Sequence, residues 1–583
     1  MKYPTLPVRN SNREMLEAFK GYNHNLMIGD TEFFDMKNMS SDHYPLLSPR
    51  GKRGVYATPL SPQGLIAKDS LCYVDGADFV MDGYHIEMGL STEIEDCPKR
   101  LISMGAYVII LPDKKYINTL DMTDYGSIEA TIQTSADVTF ELCTIDGDVY
   151  TDTIISPTEP EDPENMAYWI DTSSVPHTLK QYSETSAMWV PVATTYIKIS
   201  SPGIGKAFRQ YDGVTISGVL SENLQDLNAN MVLWGCGDDH IVVVGILDAV
   251  ATQALADGAI TVERRMPNMD FVIESENRLW GCRYGVAANG EVVNELYACK
   301  LGDFKNWNCF MGLSTDSYVA SVGTDGQFTG AITHLGYPLF WKENCVHKVY
   351  GNYPANFQIQ TTACRGVQRG CDRSLAIVNE VLYYKARHAV CAYDGALPVE
   401  ISSVLGDVRY SDAVACAHGN KYYISMKDSA EQYHLFVCDT GKGMWHKEDN
   451  LRADCFCSCR EELYCIADGK IITMFGSGTQ DTTNVDWMVQ SGIIGTDMPD
   501  MKYISRLLVR MSMEIGARVR FFAQYDSAGG WEPLGTISGT NLRTVMLPIR
   551  PKRCDHMRLR IEGTGDVKIY SITKTIEQGS DIS

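Results

Sequence analysis

Val381-Leu-Tyr-Tyr-Lys385, Lys421-Tyr-Tyr-Ile-Ser425 and Glu462-Leu-Tyr-Cys465 are three versions of one short aromatic strand, anchored at Tyr383, Tyr423 and Tyr464, which stand 40 and 41 residues apart. Second strands follow two of them closely, at Val390-Cys-Ala-Tyr-Asp-Gly395 and Lys470-Ile-Ile-Thr-Met-Phe475. A period of about 40 to 50 residues built from short strands marks a β-propeller, whose blades are four-stranded sheets. One such sheet cannot cover both its faces, so neighbouring blades stack around an axis. Further copies lie upstream, at Leu71-Cys-Tyr-Val-Asp-Gly76, Ala106-Tyr-Val-Ile-Ile-Leu111, Arg278-Leu-Trp-Gly-Cys282 and Pro338-Leu-Phe-Trp-Lys342. The repeat predicts an all-β chain with a propeller of about six to eight blades over 54–120 and 268–484. The early copies should close the ring against the late ones, because an open propeller leaves strand edges unpaired.

The period breaks over 121–267, which predicts inserted β domains. Its first part, 121–205, alternates well, as in Ala136-Asp-Val-Thr-Phe-Glu-Leu-Cys143, and holds the loop Ser156-Pro-Thr-Glu-Pro-Glu-Asp-Pro-Glu-Asn165. From Glu141 to Asn165 there are eight acids and no base, a composition too polar to pack. Its second part, 206–267, reads as a small β-barrel with strands at Gly213–Ser217, Ile241–Ile246 and Ala259–Glu263. After the repeat, 485–583 alternates as in Met557-Arg-Leu-Arg-Ile561, which predicts a jelly-roll-like β-sandwich with one wet face. Before it, 1–53 reads as an extended segment with no core of its own. It is expected along a neighbour or the propeller surface, with one short helix candidate at Asn12–Phe19.

The 583 residues carry a formal charge of −22. From Val485 to the end there are 13 Lys/Arg against 11 Asp/Glu, leaving −24 on the rest. That sign argues against a protein that grips DNA, since phosphate binding depends on Lys and Arg. The arginines Arg510, Arg518, Arg520, Arg558 and Arg560 could dock on an acidic propeller or form a solvated face. No apolar run approaches the roughly 20 residues that cross a bilayer, and the opening MKYPTLPVRNSNREM lacks a signal-peptide core. The expected site of synthesis is therefore a cytoplasm. The 18 cysteines include no Cys-x-x-Cys pair and are expected to be reduced. Cys455, Cys457 and Cys459 alternate as on a core strand rather than pairing across a zinc-binding turn.

The sequence contains no phosphate-binding glycine loop, no His-Glu-x-x-His and no Gly-x-Ser-x-Gly. Asp526-Ser-Ala-Gly-Gly-Trp531 misplaces the glycine of a sialidase Asp box. Asp146, Asp148 and Asp152 lack calcium-loop spacing. Trp280, Trp307, Trp341 and Trp445 are expected in the core or between blades. The expectation is no catalytic residue, no metal and no cofactor, hence no enzyme. A propeller glycosidase would need two carboxylates about 5 to 9 Å apart, and among 73 acids such pairs are uninformative.

The opening segments Phe19-Lys-Gly-Tyr-Asn-His-Asn25, Glu32-Phe-Phe-Asp-Met-Lys-Asn38 and Tyr44-Pro-Leu-Leu-Ser-Pro-Arg50 carry a family resemblance. So do Asn277-Arg-Leu-Trp-Gly-Cys282, Asn294-Glu-Leu-Tyr297, Leu301-Gly-Asp-Phe-Lys-Asn-Trp307, Phe340-Trp-Lys-Glu343 and Val349-Tyr-Gly351. Over about Phe19 to Phe475 the chain resembles tailed-bacteriophage virion proteins, closest in class to the propeller tail-nozzle or packaged-DNA-stabilisation proteins of short-tailed phages. The resemblance implies a structural ring in the tail or head-to-tail neck, hexameric in that family, through which DNA passes without specific binding. Implied partners are further copies of the chain and other neck or tail proteins, with no membrane, and the implied location is the virion. Two other readings stay open: a tail-tip or receptor-binding virion protein, and a carbohydrate-active propeller enzyme.

Overall fold

The computed structural model describes residues 11–92, 99–287, 290–477, 479–480, 484–539 and 541–579. The fold is an all-β propeller with an inserted β-region and a terminal β-sandwich. Seven blade sheets occur in chain order, at 62–87, 100–127, 271–321, 330–363, 376–400, 411–447 and 455–473, six of them four-stranded and the last five-stranded, completed from elsewhere in the chain. Among the described residues, no helix is long and apolar enough to cross a membrane.

The chain divides into two compact units. The first, over 1–99, 339–347 and 361–583, holds the first, fifth, sixth and seventh blades and part of the fourth. Within it the opening strands of successive blades lie side by side. Ala376–Val378 touches Ser411–His418, which touches Cys455–Cys459, which touches Pro62–Ala67. The first blade thus packs on the seventh, through Leu65, Leu71, Cys457, Cys459, Ile466 and Ile471. Tyr423, Leu435, Val437, Phe456 and Leu463 join the sixth blade to the seventh. The seventh blade has three local strands, and its fourth is Gly54–Ala57, antiparallel to Lys470–Thr473 with Thr473 opposite Gly54. A strand from the start of the chain therefore covers the edge that the last blade would expose.

The segment before residue 54 does not lie loosely along a surface. Residues 1–10 lie outside the described residues. Ser11–Leu16, the helix candidate, is a strand paired antiparallel with Val567–Gln578, Leu16 opposite Ile572. Sheet pairing and burial of Leu16 override a weak helical preference. Glu32–Lys37 pairs with Asp486–Ser491 in the facing sheet. The sandwich is thus built from both ends of the chain. One sheet runs through Ser11–Leu16, Val567–Gln578, Lys502–Met513 and Arg543–Met546. The other includes Glu32–Lys37, Asp486–Ser491, Met557–Thr564, Arg518–Tyr525 and Glu532–Ser538. Arg520 and Arg560 both pair with Glu562 on the outer face of the second sheet, and Arg558 lies over Phe34.

The second unit, over 100–338 and 348–360, holds the second and third blades, part of the fourth, and the insertion. Arg100–Met104 touches Phe271–Ser275, over a core of Ile109, Tyr116, Val272, Leu279, Phe304 and Trp307. The insertion does not divide at residue 205. One sheet orders Ala130–Gln133, Thr261–Arg264, Gly213–Ser217 and Asn230–Val232. The other orders Gly235–Gly237, His240–Val244, Tyr196–Ser200, Val138–Cys143 and Ala251–Gln253. Phe140 and Ile199 share one core with Val214, Ile241 and Val262. Each such side chain is worth roughly 1.5–3 kcal/mol when buried, so neither half would hold its sheet alone. The acidic loop belongs to a separate small sheet, Ile154–Ser156 to Met188–Pro191, inserted between two barrel strands.

Candidate active site

In the first unit the opening strands of the fifth, sixth and seventh blades lie side by side, which brings the residues at their starts together. In the first unit Asp412 stands at the second position of Ser411–His418, and Asp454 immediately precedes Cys455–Cys459, the strand beside it. Asp468 lies at the same end, in the turn between Glu462–Ala467 and Lys470–Thr473. Both Asp412 and Asp468 hold left-handed backbone, at φ 50°. Aspartate tolerates that conformation better than most residues because its side chain can bond its own backbone.

Asp454 is half-buried. Burial holds its carboxyl above the ordinary carboxylate range. Arg452 and Arg373 pull the other way, and the charges of Asp468 and Asp412 add to the rise. Arg452 Nε sits 3.4 Å from its Oδ1. Arg373 donates to the Asp454 backbone carbonyl at 2.9 Å, which brings that guanidinium beside the carboxyl. Asp454 N–H donates to Ile466 O, tying the residue to the second strand of its own blade. Asp412 is exposed and accepts a short hydrogen bond from the Tyr433 hydroxyl. Burial, then that bond, pushes the Tyr433 phenol up to about 12, so it remains a donor at neutral pH. Arg452 covers the Tyr433 ring at 5.5 Å. The mouth thus holds one carboxyl biased toward its protonated form, two carboxylates beside it, and an arginine-capped aromatic wall. That division of carboxyl groups is the electrostatic pattern of acid–base chemistry.

The second unit repeats the position by itself. Asp270 precedes Phe271–Ser275, accepts from Tyr284 N–H at 2.8 Å, and is also raised by burial. Among the described residues, no second aspartate adds to the rise at Asp270 as Asp412 and Asp468 do at Asp454.

The residues singled out from sequence fall elsewhere. Asp526 accepts from the Asp555 and His556 backbones in a turn. Gly147, between Asp146 and Asp148, closes a turn onto Thr144. Among the described residues no group of three His, Cys, Asp or Glu side chains converges as a metal site. The 17 described cysteines are free thiols, with Cys457 and Cys459 in a blade interface; Cys97 lies outside the described residues. Trp341 is fully buried against Tyr384 at 4.8 Å, and Trp280 meets Phe357 edge-on at 4.9 Å.

No protein-family model and no curated protein matches the chain. Solved structures do. An exo-β-1,3-galactanase from Phanerochaete chrysosporium with galactose aligns over 51% of this chain and 95% of its own, at 7% identity and a TM-score of 0.22. A glycoside hydrolase family 43 arabinoxylan arabinofuranohydrolase from Bacillus subtilis, in complex with cellotetraose, aligns over 52% and 94%, at 8% identity and 0.19. An engineered family 43 enzyme with endo-xylanase and exo-arabinofuranosidase activity aligns over 53% and 96%, at 9% identity and 0.20. These comparisons correct the expectation of a non-enzymatic neck or nozzle ring that passes DNA: the structures to which the chain is similar are glycoside hydrolases. The expectation of no enzyme is corrected with it.

Proposed function

We propose that the protein is a carbohydrate-active propeller enzyme that hydrolyses a glycosidic bond at the mouth formed by Asp412, Asp454 and Asp468. The observation that carries this reading is the raised carboxyl of Asp454 beside the exposed carboxylate of Asp412. Glycoside hydrolysis needs one carboxylic acid to protonate the leaving oxygen and one carboxylate to act at the anomeric carbon. Asp454 supplies the proton as the exocyclic C–O bond breaks. Asp412, steadied by Tyr433, takes the second role, either accepting a proton from the attacking water or bonding the anomeric carbon until water replaces it. In both routes water contributes hydroxyl to the sugar and a proton restores the acid. The negative charge of Asp468 favours the protonated form of Asp454, and Arg373 and Arg452 position the pair. The identity of the released anomer distinguishes the two routes.

The test is sugar release from a panel of polysaccharides by the wild-type protein and by Asp454→Asn. Release by the wild type that falls by two orders of magnitude or more in the variant is the expected result. No release from any polysaccharide, or an unchanged rate in Asp454→Asn, overturns the reading.

A further inference from the structure

The far end of the sixth blade carries a second constellation, which the hydrolytic mouth does not use. Ser411–His418 runs from Asp412 at one end to His418 at the other, a span of roughly 20 Å at about 3.4 Å per residue. At the His418 end a cavity of about 570 Å³ is lined by Asp42, His418, Asn420, Lys421, Tyr423, Asp439, Lys442 and Phe475, with Gly419 and Gly441. All belong to the first unit. Its size falls within the roughly 300–1,000 Å³ of small-molecule sites.

The N-terminal segment builds one wall. Ser41 Oγ donates to Asp439 Oδ2 at 2.6 Å, and Lys442 Nζ donates to Ser41 O at 2.8 Å. Lys421 Nζ lies 2.5 Å from Asp42, and Lys442 Nζ 3.1 Å from Asp439. The four charges cancel in pairs, so the cavity favours neither an anion nor a cation. They leave carboxylate acceptors and ammonium donors interleaved over one surface. Beneath them the buried ring of His446 lies within electrostatic reach of Asp42, Lys421, Asp439 and Lys442, and its Nδ1 has no hydrogen-bond partner. At the rim Phe475 is 45% exposed, its ring 4.8 Å from that of His418. His418 is itself fixed by Ser458 Oγ at 2.9 Å.

A ligand that fits must be uncharged, must both donate and accept at adjacent positions, and must offer an apolar face to an aromatic ring. Sugar hydroxyls do the first two, and the C–H face of a pyranose does the third, relieving an exposed aromatic surface. We infer that this cavity is a saccharide-binding site separate from the hydrolytic mouth, in which Phe475 stacks on a neutral sugar whose hydroxyls engage Asp42, Lys421, Asp439 and Lys442. The residues are independent of Asp412 and Asp454, so the two readings stand or fall separately.

The test is calorimetric titration of the full chain, carrying Asp454→Asn to prevent turnover, with xylotriose, cellotriose, maltotriose and β-1,3-galactotriose at up to about 10 mM. At least one is expected to bind, and Phe475→Ala should weaken that binding about tenfold or more. Phe475→Trp should preserve binding and report it as a change in fluorescence, which separates loss of the ring from loss of the fold. In the wild-type background Phe475→Ala should hydrolyse short soluble glycosides at the wild-type rate. Absence of binding by all four sugars overturns the inference, as does unchanged affinity in Phe475→Ala. Sugar binding lost in Phe475→Ala but with no hydrolysis by the wild type leaves this site intact and overturns the hydrolase reading alone.

Discussion

Replacing Arg53 by Met should loosen the strand that closes the last blade. Arg53 Nη2 donates to Glu448 at 2.7 Å and Nη1 to Asp449 at 2.8 Å, with 14% of the arginine side chain exposed and 9% of that of Glu448. Removing one partner of a buried ion pair costs about 3–5 kcal/mol, because the remaining charge is stranded. Arg50 stays, with Nε 3.5 Å from Glu448 and Nη2 3.3 Å from Asp449, so the lower end, about 3 kcal/mol, applies. Residue 53 adjoins Gly54–Ala57, and the cost falls on the docking of that strand. Amide hydrogen exchange reads it directly. Protection over 54–57 and 471–473 should fall by roughly a hundredfold, while the amides of Met557–Thr564 change little. Arg53→Lys should lie between, keeping the charge but not the two-pronged geometry. Burial works to raise the Asp449 carboxyl, but Arg53 and Arg50 outweigh it and hold it below the usual range. A depressed carboxylate contributes stability above its unfolded pKa of about 4, lost as pH falls through the folded value. The closing strand should therefore also open in acid. A change of less than about threefold in Arg53→Met would show that the cluster is not what holds the closure.

Two further outcomes follow from the same structure. Burial pushes the thiols of Cys72 and Cys416 up to about 12 and that of Cys371 to about 11, so native alkylation at neutral pH should be slow, whereas denatured protein should show 18 modified thiols by mass; protected disulfides would contradict this. The hydrolytic rate should fall as pH rises through the elevated pKa of Asp454, since only its protonated form acts as acid, and a rate rising throughout that range would contradict the assignment.

The repeat was legible because blades impose it: Tyr383, Tyr423 and Tyr464 occupy matching second-strand positions, all buried or half-buried. The closing strand was not, because Gly54-Val-Tyr-Ala57 is too short to stand out and its partner lies more than 400 residues away. The N-terminal share of the sandwich was hidden for the same reason. Strands that borrow their core from the other end of a chain carry no local sign of it. In the insertion, good alternation marked strands such as Val138–Cys143, but alternation does not say which strand pairs with which. The candidate site leaves a trace in the sequence that shows only once the repeat is placed. Asp372, Asp412 and Asp454 precede Tyr383, Tyr423 and Tyr464 by 11, 11 and 10 residues, and Asp270 precedes Trp280 by 10. Placed on the repeat, these aspartates mark the starts of successive blades, whereas among 73 acids each looks ordinary. The bias of Asp454 toward protonation has no sequence signature. It comes from burial and from two carboxylates brought beside it by the fold.

Leaving-group dependence tests the assignment of Asp454 as the proton donor. Aryl glycosides with a poor leaving group need protonation, and those with a dinitrophenolate leaving group do not. For whichever sugar the wild type cleaves, Asp454→Asn should lose about 10²–10⁴-fold in kcat on the poor leaving group and far less on the good one, while Asp412→Asn should lose activity on both. Equal losses in Asp454→Asn across the series, or no cleavage of any aryl glycoside by the wild type, would contradict a proton-donor role for Asp454.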